Sequence, residues 1–514
     1  MDFFKKIFRS HSRSQHNPDV ESHEEVRMVS SSVEDNLAYI RESLFHTEDL
    51  KTRQLSYHGR SGALVYLNTM ADFAKIQDGI LKPMALNEGK KPLEEVIASP
   101  QVETEEELDP AVEQLLHGHI ILLFEGLKEC YVAQAHAIHR RPVSEPDTEK
   151  VLRGPHEGFV ENLLVNLHLV RKRLDNQQLK VRYFTVGRKN KAKLAVLYIH
   201  DLANPEVVEE VEQRLQFIRA DSVLSPGYVQ EYLEGKVYSP FPQMLSTERP
   251  DRVMGNIMEG RVAIIMEGSP TALIVPVTFT AFYQSTDDYS MRPIIGSFFR
   301  LIRFISFFIS ILLPSFYIAV VSFHYEVIPS ELVFPMKSSV EIVPFPPILE
   351  ALLLEITVEL IREGGIRLPS PVGQTIGIVG GLVIGESAVR AGLVSNTMVI
   401  VVALTAIASF VVPTNEMGAS IRILRFPMML LASLFGFLGI MFGSLLLLIH
   451  LTRLESFGTP FFAPAIPLRL RDMKDTIIRL AMWQLNERPA DAKPQKWRQE
   501  HHSRGWKRDD PEEN

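Results

Sequence analysis

Residues that could handle ions stand out in the second half of the 514-residue chain. Glu350, Glu355 and Glu359 are carboxylates inside an otherwise apolar run at 342–360. An ionised carboxylate in hydrocarbon costs roughly 3 kcal/mol or more, so all three must face protein or water. Glu355 and Glu359 share a helix face at i,i+4, and Glu350 lies well round the helix from them. Arg362 can pair with Glu359 at i,i+3. A second set follows at 371–390. Gly373, Gly377, Gly381 and Gly385 recur every four residues, and Gly380 widens the smooth strip they make on one helix face. In water such a helix is poor, each interior glycine costing about 1 kcal/mol against alanine. In a membrane, small residues at this spacing let backbones approach closely. Gln374 and Thr375 add polar groups at one end, and the i,i+4 pair Glu386 and Arg390 brackets Val389 at the other. Copied around an axis, this face could line a path for ions, with Val389 as an apolar constriction. Gln374, Thr375, Gly377, Gly381, Gly385, Glu386, Val389 and Arg390 are therefore candidates for a pore or gate. A close-packed helix contact accounts for the glycines equally well.

Catalytic chemistry finds no foothold. There is no phosphate loop ending in Gly-Lys-Ser/Thr, no His-Glu-x-x-His and no Gly-x-Ser-x-Gly. The chain is not expected to be an enzyme, and neither a cofactor nor a metal site is expected. The single cysteine, Cys130, excludes an intrachain disulfide framework and a cysteine-based zinc site. The sixteen histidines are dispersed, and His501 and His502 sit in a polar tail. Asp287 and Asp288 could hold a cation, but a loop leading into a membrane segment is the plainer reading. A net charge of −8 and a pI near 6.1 argue against nucleic acid as a partner.

The elements that must position these residues divide near residue 300, after which all the long uncharged runs lie. Residues 1–32 are polar and aperiodic, an expected disordered tail without the apolar core of a secretory signal. Residues 33–150 and 151–290 read as two copies of one α/β unit on the cytoplasmic side. Leu50-Lys-Thr-Arg53 matches Leu179-Lys-Val-Arg182, and Leu64-Val-Tyr-Leu67 matches Val196-Leu-Tyr-Ile199. Gly118-His-Ile-Ile-Leu-Leu-Phe-Glu-Gly126 then matches Gly260-Arg-Val-Ala-Ile-Ile-Met-Glu-Gly268. Helices are expected over 33–46, 71–81, 156–174 and 205–218, and buried strands over 63–67, 119–124, 194–200 and 262–266. Val170-Arg-Lys-Arg173 reads as a solvated basic helix end, with an interdomain contact as the alternative.

Residues 291–453 form an expected helical membrane domain of five apolar segments, 304–323, 342–360, 372–389, 393–412 and 426–449. Arg292, Arg300 and Arg303, then Arg362 and Arg367, then Arg422 and Arg425, and finally the basic tail all suit a cytoplasmic flank. Five full crossings would put the tail outside, so four or five crossings are expected, with one segment re-entrant or interfacial. Residues 454–485 read as a proline-braced stretch with a short amphipathic helix at 472–485. Residues 486–514, with Trp497 and Trp506, are expected to be disordered. The fold class is thus mixed, a duplicated α/β cytoplasmic region followed by an α-helical membrane domain.

Several long motifs run through the chain in a fixed order. They are Arg153-Gly-Pro-His-Glu-Gly-Phe-Val-Glu-Asn162, Thr247-Glu-Arg-Pro-Asp251, Gln284-Ser-Thr-Asp-Asp-Tyr-Ser-Met-Arg-Pro293, Leu368-Pro-Ser-Pro-Val-Gly-Gln374 with the glycine strip, and Leu454-Glu-Ser-Phe-Gly458. Over roughly residues 33–485 this pattern resembles the A subunits of bacterial spore germination receptors, the GerA family. His156 stands where the family motif has Arg. The resemblance implies a multi-pass protein of the inner spore membrane, in contact with membrane lipid, with its N-terminal region in the cytoplasm. It implies partnership with a transporter-like, nutrient-binding B subunit and a lipoprotein C subunit. It also implies homo-oligomers that form an ion channel opened by nutrient. Two alternatives stay open. One is an accessory channel or amplifier made during sporulation without its own nutrient partner, and the other is a structural scaffold of the receptor. A secondary transporter is disfavoured because the apolar segments show no inverted repeat.

Overall fold

The computed structural model describes residues 27–87, 91–99, 101–137, 145–146, 149–368, 370–499 and 503. Residues 1–26 of the N-terminal tail, and His501, His502 and Trp506 of the C-terminal one, lie outside the described residues.

The first α/β unit contains α1 (Val33–Ser43), β1 (Leu50–Tyr57), β2 (Arg60–Leu67), a helical run at 73–87, β3 (Val102–Glu105), α2 (Leu108–Leu116), β4 (His119–Phe124) and β5 (Cys130–Gln134). Its strands are antiparallel in the order β1-β2-β4-β5-β3. Strand alternation splits the core. Val65, Leu67, Ile121 and Leu123 pack under α1 and α2. Leu64, Ile120, Leu122 and Phe124 face the turns that carry Ile76, Ile80 and Leu93.

The second unit contains α3 (Leu163–Arg173), β6 (Leu179–Val186), β7 (Ala192–Ile199), α4 (Pro205–Phe217), α5 (Pro226–Leu233), β8 (Leu245–Thr247), α6 (Pro250–Met258), β9 (Val262–Met266) and β10 (Ala272–Val275). Its order is β6-β7-β9-β10-β8. The helix expected from residue 156 starts only at Leu163, because the Asn162 side chain accepts the Val165 N–H and fixes the first turn there. One joint recurs in both units. The Glu-Gly after β4 turns back on α1, with Glu125 accepting the Val33 N–H at 3.1 Å and Gly126 N–H donating to Ser31 at 2.8 Å. After β9, Glu267 accepts the Leu163 N–H at 2.9 Å and Gly268 N–H donates to Glu161 at 2.7 Å. Both glycines sit at positive φ, which a side chain would resist.

Seven helices follow: α7 (Pro293–Phe323), α8 (Ser330–Glu341), α9 (Pro347–Arg367), α10 (Ser370–Arg390), α11 (Asn396–Phe410), α12 (Asn415–Phe435) and α13 (Phe437–Thr452). Among the described residues, α7 and α12 are long and apolar enough to cross a membrane, and α11 and α13 are apolar but shorter. The run 426–449, expected as one segment, is broken. Gly436 takes φ +58, and α13 folds back on α12 so tightly that a Cβ on Gly439 would lie 1.9 Å from the Leu431 carbonyl oxygen. Hydropathy registers the apolar run and misses this turn.

The C-terminal segment also departs from expectation. After a small hairpin of β11 (Glu455–Ser456) and β12 (Thr459–Pro460), residues 472–485 carry only 3-10 turns at Asp472–Asp475 and Met482–Gln484, with no α-helix. Residues 486–499 are docked on the second unit: Arg488 donates to the Met258 carbonyl at 2.8 Å, and Gln495 to the His200 carbonyl at 2.9 Å. Leu454 and Phe461 plug a core that also holds Phe279 and Phe282 of the second unit, Phe307 and Ile311 of α7, and Met417 and Ile421 of α12.

Candidate functional site

Buried charge collects at three joints along the chain. The first lies between the α/β units. Arg171, 1% exposed, pairs with the fully buried Asp49 at 3.0 Å, and the Thr47 and Thr69 hydroxyls also donate to that carboxylate. The basic end of α3 is therefore an interdomain contact at Arg171; helix geometry aims this side chain inward while Lys172 stays exposed. Beside the joint, a cleft of about 710 Å3 opens between Lys51, Asn68, Tyr183, Lys191, Lys193 and Glu267. It has the size of a small-molecule site but sets no nucleophile beside a base.

The second joint fastens the α/β region to the bundle and the tail. Asp288, 1% exposed, receives Arg300 at 3.0 Å and Arg303 at 2.7 Å, and Arg300 also reaches Asp475 at 2.8 Å. The Arg479 side chain donates to the Asp288 and Met291 carbonyls. Asp288 thus neutralises buried arginines, which accounts for its acid character without a metal. Among the described residues no group of three or more His, Cys, Asp or Glu side chains is placed to hold a metal ion. Four of the five motifs singled out in the sequence lie around this joint, and the fifth runs into α10 with the glycine strip. The Leu152 and Arg153 N–H groups donate to Asp287, Arg249 donates to the Pro155 carbonyl and Asp251, and Ser456 bridges Gln243 and the Val277 N–H. His156 sits apart and half-exposed, 3.1 Å from Glu145.

The third joint is inside the bundle. Glu355 of α9 is fully buried against Arg425 of α12, itself 1% exposed. One turn on, Glu359 pairs with Arg362 at 3.2 Å, the predicted i,i+3 partner, and with Arg422 at 3.3 Å. Arg362 also donates to Ser409 at 3.0 Å and lies over the Phe410 ring at 4.2 Å. Arg422 and Arg425 are thus interior partners and not flank charges. Counting positive charge cannot distinguish the two; seventy residues separate Glu355 from Arg425. Glu350 points elsewhere, accepting the Ser395 N–H at the start of α11 at 2.8 Å.

The glycine helix α10 lies at the edge of the bundle. Among the described residues, a Cβ added at Gly377, Gly381 or Gly385 would meet nothing within 4 Å, and one at Gly380 would touch Ile361 alone. Glu386 and Arg390 pair at 2.6 Å on an exposed surface. Val389 is half-buried and packs against the bundle's own core near Tyr317, Ala351 and Met398. The side chains of Gln374 and Thr375 lie outside the described residues. The structure therefore brings Glu355 and Glu359 together with Arg422 and Arg425, and leaves the glycine strip open and apart from them.

Residues 38–491 match the family described as Bacillus/Clostridium GerA spore germination protein. The chain is 41% identical to "Spore germination protein A1" of Bacillus subtilis (strain 168), over 87% of this chain and 94% of that one. It is 37% identical to "Uncharacterized membrane protein YfkQ" of the same organism, over 95% of both chains. The crystal structure of the N-terminal domain of the A subunit of the Bacillus megaterium spore germinant receptor GerK3 aligns to 49% of this chain and 98% of its own, at 28% identity and a TM-score of 0.39. With a family match across nearly the whole chain and relatives of this identity, the protein belongs to the GerA family of spore germination proteins.

Proposed function

We propose that this protein is a membrane subunit of a nutrient germinant receptor, that it triggers spore germination, and that copies of it assemble into a ligand-gated ion channel. The observation that carries the reading is α12. Its first turns dock on the second α/β unit, where Glu416 accepts from Gln230 and the Ser420 hydroxyl donates to the Pro240 carbonyl. Arg422 and Arg425 follow on the same helix and hold α9, which packs against α10. A shift of the second unit would thus carry α12 with it and reach the glycine helix through α9. The open glycine face supports a contact with a second copy. In that assembly Gln374, Thr375, Gly377, Gly381, Gly385, Glu386, Val389 and Arg390 would lie at or beside the ion path.

With the hairpin at Gly436, α7, α9, α10, α11, α12 and α13 make six crossings, which returns both soluble ends to one side. Arg292 and the basic tail support the cytoplasm for that side, and membership of a spore germination family supports the inner spore membrane for the bundle. A transporter-like B subunit and a lipoprotein C subunit are the proposed partners, in a non-enzymatic role. Shared strand order and the recurring Glu-Gly joint support descent of the two α/β units from a duplication.

A second reading, an accessory channel or amplifier without its own nutrient partner, is favoured by one observation. The relative matching 95% of the chain carries no germination name, while the A1 protein matches 87%. Spores lacking the gene decide between the two: loss of the response to one nutrient supports the receptor, and slowing toward all nutrients supports the accessory role. For the pore, monovalent-ion release from spores is measured without nutrient. Val389→Ala is expected to leak ions and Gly381→Leu to abolish germination. Val389→Ala spores that hold their ions as wild type does, with Gly381→Leu still null, would leave α10 a packing helix.

A further inference from the structure

Glu350 differs from the other bundle carboxylates. It is 1% exposed, yet among the described residues no Lys, Arg or His lies within ion-pair distance of it, whereas Glu355 and Glu359 have Arg425, Arg362 and Arg422. Its Oε2 accepts the Ser395 N–H at 2.8 Å. Its Oε1 is buried and, among the described residues, has no hydrogen-bond partner. Around it stand hydroxyls and no counter-charge. Ser395, 2% exposed, caps α11 through its Oγ, and the Tyr317 hydroxyl of α7 lies 3.4 Å from that oxygen. Tyr325 is the other titratable group near Tyr317. The nearest carboxylate along α9, Glu355, is committed to Arg425.

A buried acceptor left unpaired costs about 1–3 kcal/mol, and more when charged. The starts of α9 and α11 both lie at Glu350, and among the described residues neither supplies a partner for Oε1. We propose that Glu350, with the Ser395 and Tyr317 hydroxyls, is a binding site for a small alkali cation at the meeting point of α7, α9 and α11. Binding is reversible and forms no covalent bond to the chain. The inference rests on the reading of this bundle as membrane-spanning, and it does not require that the protein conduct.

The full chain in lipid nanodiscs gives the test. Its apparent Tm is measured as K+ or Na+ replaces choline at constant ionic strength and pH. A site filled well above its Kd should move the Tm by about 2 °C or more. The expected result is an alkali-dependent shift that Glu350→Gln abolishes, the exposed control Glu363→Gln retains, and Glu350→Asp moves to higher cation concentration. The proposal is overturned by a wild-type Tm that does not respond to the alkali ion, or by a Glu350→Gln profile that matches wild type. Where Glu350→Gln does not fold, the Glu350→Asp profile decides, and its coincidence with wild type overturns the site. Loss of ion release in spores with the nanodisc shift intact would count against the channel and leave the site standing.

Discussion

The two α/β units have the same strand order and the same Glu-Gly joint, but their sheets face different things. The first unit covers both faces with its own helices and closes two cores within residues 29–135. The second unit closes only one. Val196, Val211, Val229 and Ile264 pack under α4 and α5, and Phe457 of the tail joins them. Its other face, with Leu197, Ile199, Ala263 and Ile265, merges into a core shared with α7, α12, α13 and the tail. The first unit meets the second through polar contacts, Arg171 with Asp49 and the Tyr183 N–H with Glu48 at 2.7 Å. One layout thus serves as a self-contained body and also as a part that is incomplete without the helical bundle. Apolar continuity resists relative motion, because sliding opens cavities; a charged joint can rearrange among discrete partners. The second unit and the bundle should therefore move as one piece, with the first unit as the adjustable one.

Removing the tail tests that difference most severely. Truncation after residue 453 takes Leu454, Phe457 and Phe461 out of the shared cores, at about 2–4 kcal/mol for each buried side chain lost. Hydrogen exchange in detergent should show β9 and β10 losing at least ~100-fold in protection, while β2 and β4 of the first unit keep theirs. Equal protection in all four strands would mean that the second unit closes its own core after all.

Replacing Arg171 with Met probes the other side of the comparison. Asp49 keeps the Thr47 and Thr69 hydroxyls, so about 2–3 kcal/mol is lost, below the ~3–5 kcal/mol of a fully stranded buried charge. Spin labels on the two units should report a broader distance distribution, while labels on the second unit and α7 keep theirs. A distribution unchanged between the units would show that shape alone holds them.

Sequence made the sheets legible and the joints mostly not. His119–Phe124 and Val262–Met266 are strands with the expected bounds, because runs of buried aliphatic residues between polar turns have few other solutions. The 3.6-residue period likewise exposed Arg362 as a partner of Glu359. Arg425 escaped because its partner is distant in sequence, and the positive-inside rule offered a ready alternative. The Asp472–Gln499 stretch misled through composition. Its residues are polar, yet Arg479, Arg488, Asp491 and Ala492 are buried against surfaces that other segments supply. Glu350 was legible as a carboxylate within an apolar run; its want of an ion-pair partner among the described residues was not, since that is a property of three helices at once.

The smallest expected effect lies where the tail meets the second unit. Glu259, at the end of α6, is pushed up to about 7 by burial, opposed by Arg261 and reinforced by Asp491 and Asp475. Its carboxylate lies 3.4 Å from Arg261, which also holds Asp491 of the tail at 2.8 Å. A folded carboxyl above its ordinary 4.5 binds its proton more tightly than the unfolded chain does. Its stabilisation is therefore complete below pH 4.5 and fades as pH rises through about 7. The side chain is about a quarter exposed, so the effect should be about 1 kcal/mol, short of the ~3 kcal/mol of a fully sheltered group. Protection of the 486–499 segment against exchange should accordingly be several-fold higher at pH 5 than at pH 8, after correction for the intrinsic exchange rate. Glu259→Gln should hold the higher value across that range, because a neutral amide keeps a hydrogen bond to Arg261 and has nothing to titrate. Strands β2 and β4 of the first unit should show no such slope. A slope that survives in Glu259→Gln, or that appears equally in β2 and β4, would assign the pH dependence to another carboxylate and remove this last distinction between the units.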